Sequence, residues 1–246
     1  MGKLIAVLSG KGGTGKTSLC AGIATALADS GERVLCIDCD IGLRNLDISL
    51  GLSEYCSLTF EDVYTGRYPL ASATQHPLFP SLFFLTAPAN RISTDIDAEK
   101  FAAFLAEAKK QFQYIFLDAP AGIEAGFQLC AQHADQLILV TSADPASVRD
   151  AARAGELLEK MGKTQVRVAV NRVNEKLYKI VRVTVDDVMD RAGLPLIGIV
   201  EDDPDVTLAA AFERPLLRYN KRSAAAKACK RIAKRIQGFP EPIPFR

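Results

Sequence analysis

Seven short apolar runs punctuate the chain: Leu4–Leu8, Val34–Ile37, Leu82–Leu85, Tyr114–Leu117, Gln136–Val140, Val166–Val170 and Leu196–Val200. They lack the strict alternation of a strand with one wet face, so they read as strands covered on both sides. Between them, segments 16–29, 98–111, 123–132, 146–160, 180–191 and 222–236 carry apolar residues at helical spacing. Alternating strands and helices imply right-handed crossovers, and so an α/β fold with one doubly wound, mostly parallel sheet flanked by helices. Ser30-Gly31, Met161-Gly162 and Ala192-Gly193-Leu194-Pro195 supply turns. No repeat or linker divides the chain. A single domain is expected over 1–238, followed by a tail, 239–246, whose three prolines exclude a regular helix.

In such a sheet, ligands bind beyond the C-terminal ends of the strands. The residues that follow the runs there are chemically distinctive. The first run leads into SGKGGTGKTS, residues 9–18; Asp38 and Asp40 follow the second, Asp118 the fourth and Asn171 the sixth. All should lie on one rim.

The glycine loop fits two motifs. Gly10-x-Gly12-x-x-Gly15 with Asp38 at the end of the second strand matches a dinucleotide fingerprint, a weak signal by itself. Gly10-x-x-x-x-Gly15-Lys16-Thr17 matches the phosphate loop of nucleoside-triphosphate hydrolases. A pyrophosphate held by backbone N–H groups needs no lysine at the loop's end. A triphosphate does, with Lys16 neutralising the β and γ oxygens and the Thr17 hydroxyl reaching Mg²⁺. Asp118 is placed to complete that metal site, with Asp38 and Asp40 supporting metal and water. This reading leaves a second lysine, Lys11, without a task.

Composition narrows the alternatives. The 246 residues are 48% hydrophobic and 24% charged with net charge +1, as in an ordinary soluble globular protein. Charge is nevertheless uneven: from Glu213 to Arg246 there are ten Lys/Arg against two Glu, so this part carries +8 and the rest −7. The N-terminal apolar run is too short for a signal peptide, and no run approaches the ~20 residues that span a bilayer. The six cysteines are scattered, with Cys20, Cys36 and Cys130 in apolar segments, which points to reduced, packed thiols and a cytoplasmic protein. Cys36 and Cys39 have CxxC spacing, but no second pair or nearby histidine completes a zinc set. His76 and His133, the only histidines, are expected in a loop or on a helix surface rather than in catalysis.

With Lys11 included, the loop reads KGGTGKT, the deviant phosphate-loop pattern KGGxGK[ST], and the chain resembles the MinD/ParA family of ATPases. CIDCDIGLRNLDISLGL resembles the first switch region of its MinD branch, and LDAPAGIE (Asp118 to Glu124) the second. SADPASVRDA at 142–151 and the pair Asn171-Arg172 also have counterparts there. The likeness runs from residue 1 to about 238. It implies a single-domain ATPase that binds ATP or ADP with Mg²⁺ in the cytoplasm. Gly12, Gly13, Thr14, Gly15, Lys16, Thr17 and Ser18 would form the phosphate and Mg²⁺ site. Asp40 would help position the attacking water, with Asp38 and Asp118 supporting the metal region. Asn171 would read adenine beside Arg172, and the stretch Glu201–Asp205 would wall the base. Lys11 would act in catalysis from the opposite subunit of an ATP-bound homodimer. The implied function is an ATP-gated dimeric switch in placement of the division septum. Its turnover would be slow until a partner stimulates it, and its partners would be a division inhibitor and an ATPase activator.

Two departures bear on this. IVEDDPDV carries Val200 where the family usually has a proline, which weakens the inferred base contacts. The last helix, 222–236, sets Lys227, Lys230, Arg231, Lys234 and Arg235 on one side, and Ala225, Cys229, Ile232, Ala233 and Ile236 on the other. An interfacial anchor brings large apolar residues to that second side; these small ones suit packing on the domain. No separate membrane-targeting helix is visible. Peripheral contact at the inner face of the cell membrane therefore remains an expectation from the family, with DNA as a second candidate surface for the basic face. The alternatives are a relative that positions DNA, flagella or other cargo, and a metallochaperone or cofactor-assembly ATPase for which Cys36 and Cys39 are the only candidate ligands.

Overall fold

The computed structural model describes residues 1–55, 57–89, 95–174, 180 and 184–243. All seven apolar runs are strands: β1 (Lys3–Leu8), β2 (Val34–Asp38), β4 (Leu82–Leu85), β5 (Tyr114–Asp118), β6 (Gln136–Thr141), β7 (Val166–Val173) and β8 (Leu196–Glu201). A two-residue strand, β3 (Thr74–Gln75), adds an antiparallel edge. The sheet order is β3-β4-β2-β5-β1-β6-β7-β8, and every pairing other than β3–β4 is parallel. From β1 the chain builds first toward β2 and β4, then crosses to β6, β7 and β8. The crevice at the end of β1 is thus the topological switch point, where such sheets bind ligands.

The helices named here are α1 (Lys16–Asp29), α2 (Leu46–Leu50), α3 (Phe60–Tyr64), α4 (Ala98–Gln111), α5 (Ala125–His133), α6 (Pro145–Lys160), α7 (Val185–Ala192), α8 (Pro204–Ala211), α9 (Leu216–Tyr219) and α10 (Ala224–Gln237). Ile5 and Val7 of β1 join α1 and α10 in one buried cluster, while Leu4, Ala6 and Leu8 join α4 and α5 in another. Because both faces of the strand are covered, its sequence is continuously apolar. A smaller cluster lies at the β7–β8 side, where Val185 and Val188 of α7 meet Val170 and Val173.

The six expected helices are α1, α4, α5, α6, α7 and α10; five have ends within two residues of the expected ones, and α7 starts five residues late, at Val185 after its N-cap Thr184. Residues 181–183, at the start of the expected helix 180–191, lie outside the described residues, as do Cys56 and residues 244–246 of the tail. The short helices α2, α3, α8 and α9 were not anticipated, since four to eight residues give too few turns to display a period. Caps set several boundaries. Asp144 accepts from Ser147 N–H at the start of α6, and Thr59–Asp62 and Thr184–Asp187 form capping boxes on α3 and α7.

The last helix packs as its composition suggests. Ala225, Cys229, Ile232, Ala233 and Ile236 are buried. Two glycines let it approach closely: a Cβ on Gly22 of α1 would lie 2.5 Å from Cys229 Sγ, and one on Gly198 of β8 would lie 2.5 Å from Ile232 Cγ1. Arg235, expected on the solvated basic face, turns inward instead. It donates to the carbonyls of Ile197, Glu241 and Pro242, satisfying acceptors at the sheet edge and tying down the start of the tail.

The five described cysteines are free and buried, and among the described residues no three or more His, Cys, Asp or Glu side chains converge closely enough to hold a metal without other ligands. His76 does sit in a loop, between β3 and β4, but inside it. Its Nε2 bonds the Leu50 carbonyl at 2.8 Å and its Nδ1 accepts from Leu78 N–H at 3.0 Å. Both ring nitrogens are used by the neutral form, and burial, the larger cause, holds its pKa below the ordinary histidine value despite the Leu50 bond. His133, at the end of α5, is half-buried edge-on to Phe101.

Candidate nucleotide site

The glycine loop occupies the switch-point crevice. Gly13 and Gly15 hold φ values of +82° and +81°, a left-handed conformation that a side chain would strain. Gly10 is needed for space: a Cβ there would lie 2.4 Å from the Asp150 carbonyl oxygen of α6. Gly15 caps α1 without any side-chain bond. The first N–H groups of that helix are thus left free of a side-chain acceptor, and with the helix dipole they form an anion cradle.

Lys16 and Lys11, five residues apart, have opposite environments. Lys16 is 6% exposed, and its Nζ lies 2.6 Å from Asp118 Oδ1 and 3.3 Å from Thr17 Oγ1. Burial disfavours its charge, but the Asp118 carboxylate outweighs that and raises the lysine pKa. Lys11 stays at the surface. Its side chain is 43% exposed and sits 3.6 Å from Asp144 Oδ1 at the start of α6. Burial alone would raise the pKa of Asp144. The bonds from Ser147 and Ser142, with the Lys11 ammonium, hold it well below the carboxylate range instead.

The acids gather at the ends of β2 and β5, where Asp38 and Asp118 are register partners. Asp38 is wholly buried and accepts from the N–H groups of Asp40 and Leu46 at 2.9 and 3.2 Å, which fixes the path of the loop after β2. Burial, then the neighbouring Asp118 charge, raises its pKa to about 7. Asp40 is half-buried, and burial likewise raises its pKa, with Lys16 opposing. The loop after β5 is tied in by Gly122 N–H, which donates to the Ser9 carbonyl at 3.0 Å.

On the other side of the loop stands the end of β7. Asn171 is buried and its Nδ2 donates to the Thr14 carbonyl at 2.8 Å; Arg172 Nη1 donates to the Gly13 carbonyl at 3.3 Å. Ser18 is half-buried in the first turn of α1. Beyond β7, Asp203 caps α8 and also accepts from Ala225 N–H of α10, while Glu201 and Asp202 are exposed. Every residue expected on the rim is therefore there. The sequence reading missed Asp144, whose signal was its place as N-cap before Pro145, and the partners Asn171 and Arg172 find in the loop itself.

The residues fit a phosphate with its metal. Asp118 Oδ2, Thr14 Oγ1 and Ser9 Oγ are buried beside the loop without a hydrogen-bond partner, and buried polar atoms are normally satisfied. A bound phosphate and hydrated cation would supply partners for such oxygens.

A doubly wound parallel sheet with a lysine-tipped glycine loop at its switch point, backed by carboxylates from two neighbouring strands, defines a phosphate-loop nucleotide-binding protein. Residues 5–216 match the CobQ/CobB/MinD/ParA nucleotide binding domain, and the chain belongs to that family. It is 37% identical to the septum site-determining protein MinD of Synechocystis over 247 residues, which covers 100% of this chain and 92% of that protein. Among solved structures it is similar to that of a MinC:MinD cell division protein complex of Aquifex aeolicus, with TM-score 0.90 and 37% identity over 99% of this chain and 98% of that one. It is also similar to the septum site-determining protein MinD of Pyrococcus horikoshii complexed with Mg-ADP. There the TM-score is 0.83 and the identity 26%, over 96% of each chain.

One pH effect follows from these environments. Below about pH 6.5 the unfolded chain binds a proton at His76 that the folded chain resists, so this group's share of stability is lost as pH falls through that value. Asp38 works in the opposite sense. Its folded pKa lies above the unfolded one, so its protonation favours the fold as pH falls from about 7. His133 is shifted in the same direction as His76. Urea melts of the protein and of His76→Gln across pH 5–8 should isolate the buried ring, the variant losing less stability on acidification. Parallel pH profiles would show that His76 is not the group responsible.

Proposed function

We propose that this chain is an ATP-dependent switch of the MinD type that governs placement of the division septum, dimerising around ATP and hydrolysing it slowly until a partner protein stimulates it. The observation that carries this reading is the contrast between its two loop lysines. Lys16 is buried in its own cradle against Asp118, whereas Lys11 is exposed and paired with Asp144. A residue as exposed as Lys11 can serve a phosphate held by a second copy of the chain.

The chemistry follows from the residues in place. Phosphoryl transfer asks a protein chiefly for positioning and charge compensation. The α1 N-terminus and the loop N–H groups hold the phosphates, and Lys16 exchanges part of its pairing with Asp118 for the β and γ oxygens. Thr17, Asp118, Asp38 and Asp40 are the residues that would hold Mg²⁺, which when bound supplies further positive charge against the triphosphate. Asp40, at the mouth of the first switch loop, orients the attacking water. Lys11 of the partner subunit meets the negative charge that develops as the bond to the leaving oxygen breaks. ATP favours the dimer because only the γ-phosphate offers Lys11 and the switch loops a shared ligand.

The named relatives support the cellular assignment, and the MinC:MinD cell division protein complex supports a regulatory protein partner; this reading takes the partners to be a division inhibitor and an activator of hydrolysis. Among the described residues no helix is long and apolar enough to cross a membrane; the proposed membrane contact is peripheral, at the inner face. Light scattering in ATP and in ADP tests the switch. A doubled mass in ATP alone is expected, and an unchanged mass would refute it. Co-sedimentation in the same two nucleotides, with anionic vesicles or with DNA, identifies the surface. ATP-dependent pelleting with vesicles fits septum placement; pelleting with DNA alone transfers the reading to a DNA-positioning relative.

A further inference from the structure

The end of β7 breaks the rule that neighbouring side chains on a strand face opposite ways. Between its pairings Val170↔Ile199 and Val173↔Glu201, β7 advances three residues while β8 advances two. The extra residue is absorbed by Arg172, which adopts φ +56°, a left-handed conformation rare for a side-chain-bearing residue. As a result two consecutive side chains reach the same loop. Asn171 Nδ2 donates to the Thr14 carbonyl at 2.8 Å, and Arg172 Nη1 donates to the Gly13 carbonyl at 3.3 Å. The contact is close: a Cβ on Gly15 would lie 2.3 Å from Asn171 Nδ2. Arg172 Nε also lies 3.7 Å from Asp202 Oδ1, just past the end of β8.

A peptide unit is planar and trans, so its C=O and N–H point in opposite directions. Holding the Gly13 carbonyl toward Arg172 turns the Thr14 N–H the other way; holding the Thr14 carbonyl toward Asn171 does the same for the Gly15 N–H. Such N–H groups bind phosphate best when they are aimed before the ligand arrives. Glycines at left-handed φ cannot fix that orientation by themselves, because they are the least restricted residues of the chain.

We propose that Asn171 and Arg172 form a clamp that pre-aims the phosphate-loop N–H groups, with Arg172 as a positioning residue braced by Asp202. The strained backbone of Arg172 is the device that brings both donors to one side. Its planar fork spans the Gly13 carbonyl and the Asp202 carboxylate together, which a single ammonium cannot do. This inference rests on the ATP-binding reading above.

The test uses the intact protein, with ADP and inorganic tripolyphosphate each measured by displacement of a fluorescent ADP analogue. Arg172→Ala should weaken both ligands by a common factor of about tenfold, the scale of one lost orienting hydrogen bond. The KM for ATP should rise in step, by a larger factor than kcat falls. Arg172→Lys should lie nearer to Arg172→Ala than to the parent, with thermal melts confirming that each variant folds. Unchanged tripolyphosphate binding in Arg172→Ala would overturn the clamp, since a base contact alone leaves a baseless ligand unaffected. So would an Arg172→Lys variant nearer to the parent, which would reduce Arg172 to a point charge. If the parent protein binds neither ligand, the ATP-binding reading itself fails.

Discussion

Lys11→Ala will bind ATP and ADP nearly as the parent does, yet form no ATP-dependent dimer and lose partner-stimulated turnover by about 10³-fold or more, the scale of a cation supplied in trans. The geometry separates these effects. Within one chain, phosphates meet the α1 N-terminus, the loop N–H groups and Lys16, none of which Lys11 touches. Its own bond in the free protein is the 3.6 Å pair with Asp144, both side chains being nearly half exposed. An ion pair so placed is screened by solvent and contributes ~1 kcal/mol or less. Lys11 can therefore leave it readily, and its removal costs the fold little. Light scattering reads the dimer and phosphate release reads turnover. Stimulated hydrolysis that survives the substitution would count decisively against the role.

Lys16→Met, by contrast, should injure the fold as well as the site. Lys16 and Asp118 are almost wholly buried and 2.6 Å apart, and Asp118 Oδ2 already lacks a partner. Removing the lysine leaves a buried carboxylate uncompensated beside Asp38. Breaking such a pair from one side typically costs about 3–5 kcal/mol, or roughly 10 °C of melting temperature in a domain of this size. The loss should be greatest above pH 7, where Asp38 also carries its charge, and smaller at pH 5, where protonation of Asp38 relieves the crowding. Adding Asp118→Asn should recover stability without restoring nucleotide binding. Calorimetry on the single and double variants decides it. Equal melting temperatures for parent and Lys16→Met would mean that the pair does not hold the crevice together.

The framework of the fold was legible because burial on both faces leaves an uninterrupted apolar signature, as in Leu4–Leu8 and Val34–Ile37. The rim was legible for a related reason: a phosphate loop needs glycine and lysine at fixed spacing, and topology brings the ends of parallel strands together. Other features left no such trace. The turn of Arg235 into the sheet edge depends on where the Ile197 carbonyl happens to lie, which no spacing within α10 encodes. The burial of His76 depends on Leu50, distant in sequence. The left-handed Arg172 was illegible for the reason that makes it informative: nothing in VAVNRV asks for a bulge, and only pairing with β8 reveals it. Asp144 carried a cap signal before Pro145 that the sequence reading passed over, and its pairing with Lys11 required the fold.

The two close approaches of the final helix have a mechanical meaning. Helix α1 is capped by Gly15, inside the phosphate loop, and lies against α10 with Gly22 pressed on Cys229, while Gly198 brings the same final helix down onto β8. Neither contact leaves slack, since even a methyl group would collide there. The final helix therefore cannot glide over α1 as two oiled rods would. The helix that begins at the phosphate loop and the last described helix are therefore packed as one tight layer, in which a side chain at Gly22 or Gly198 has no room.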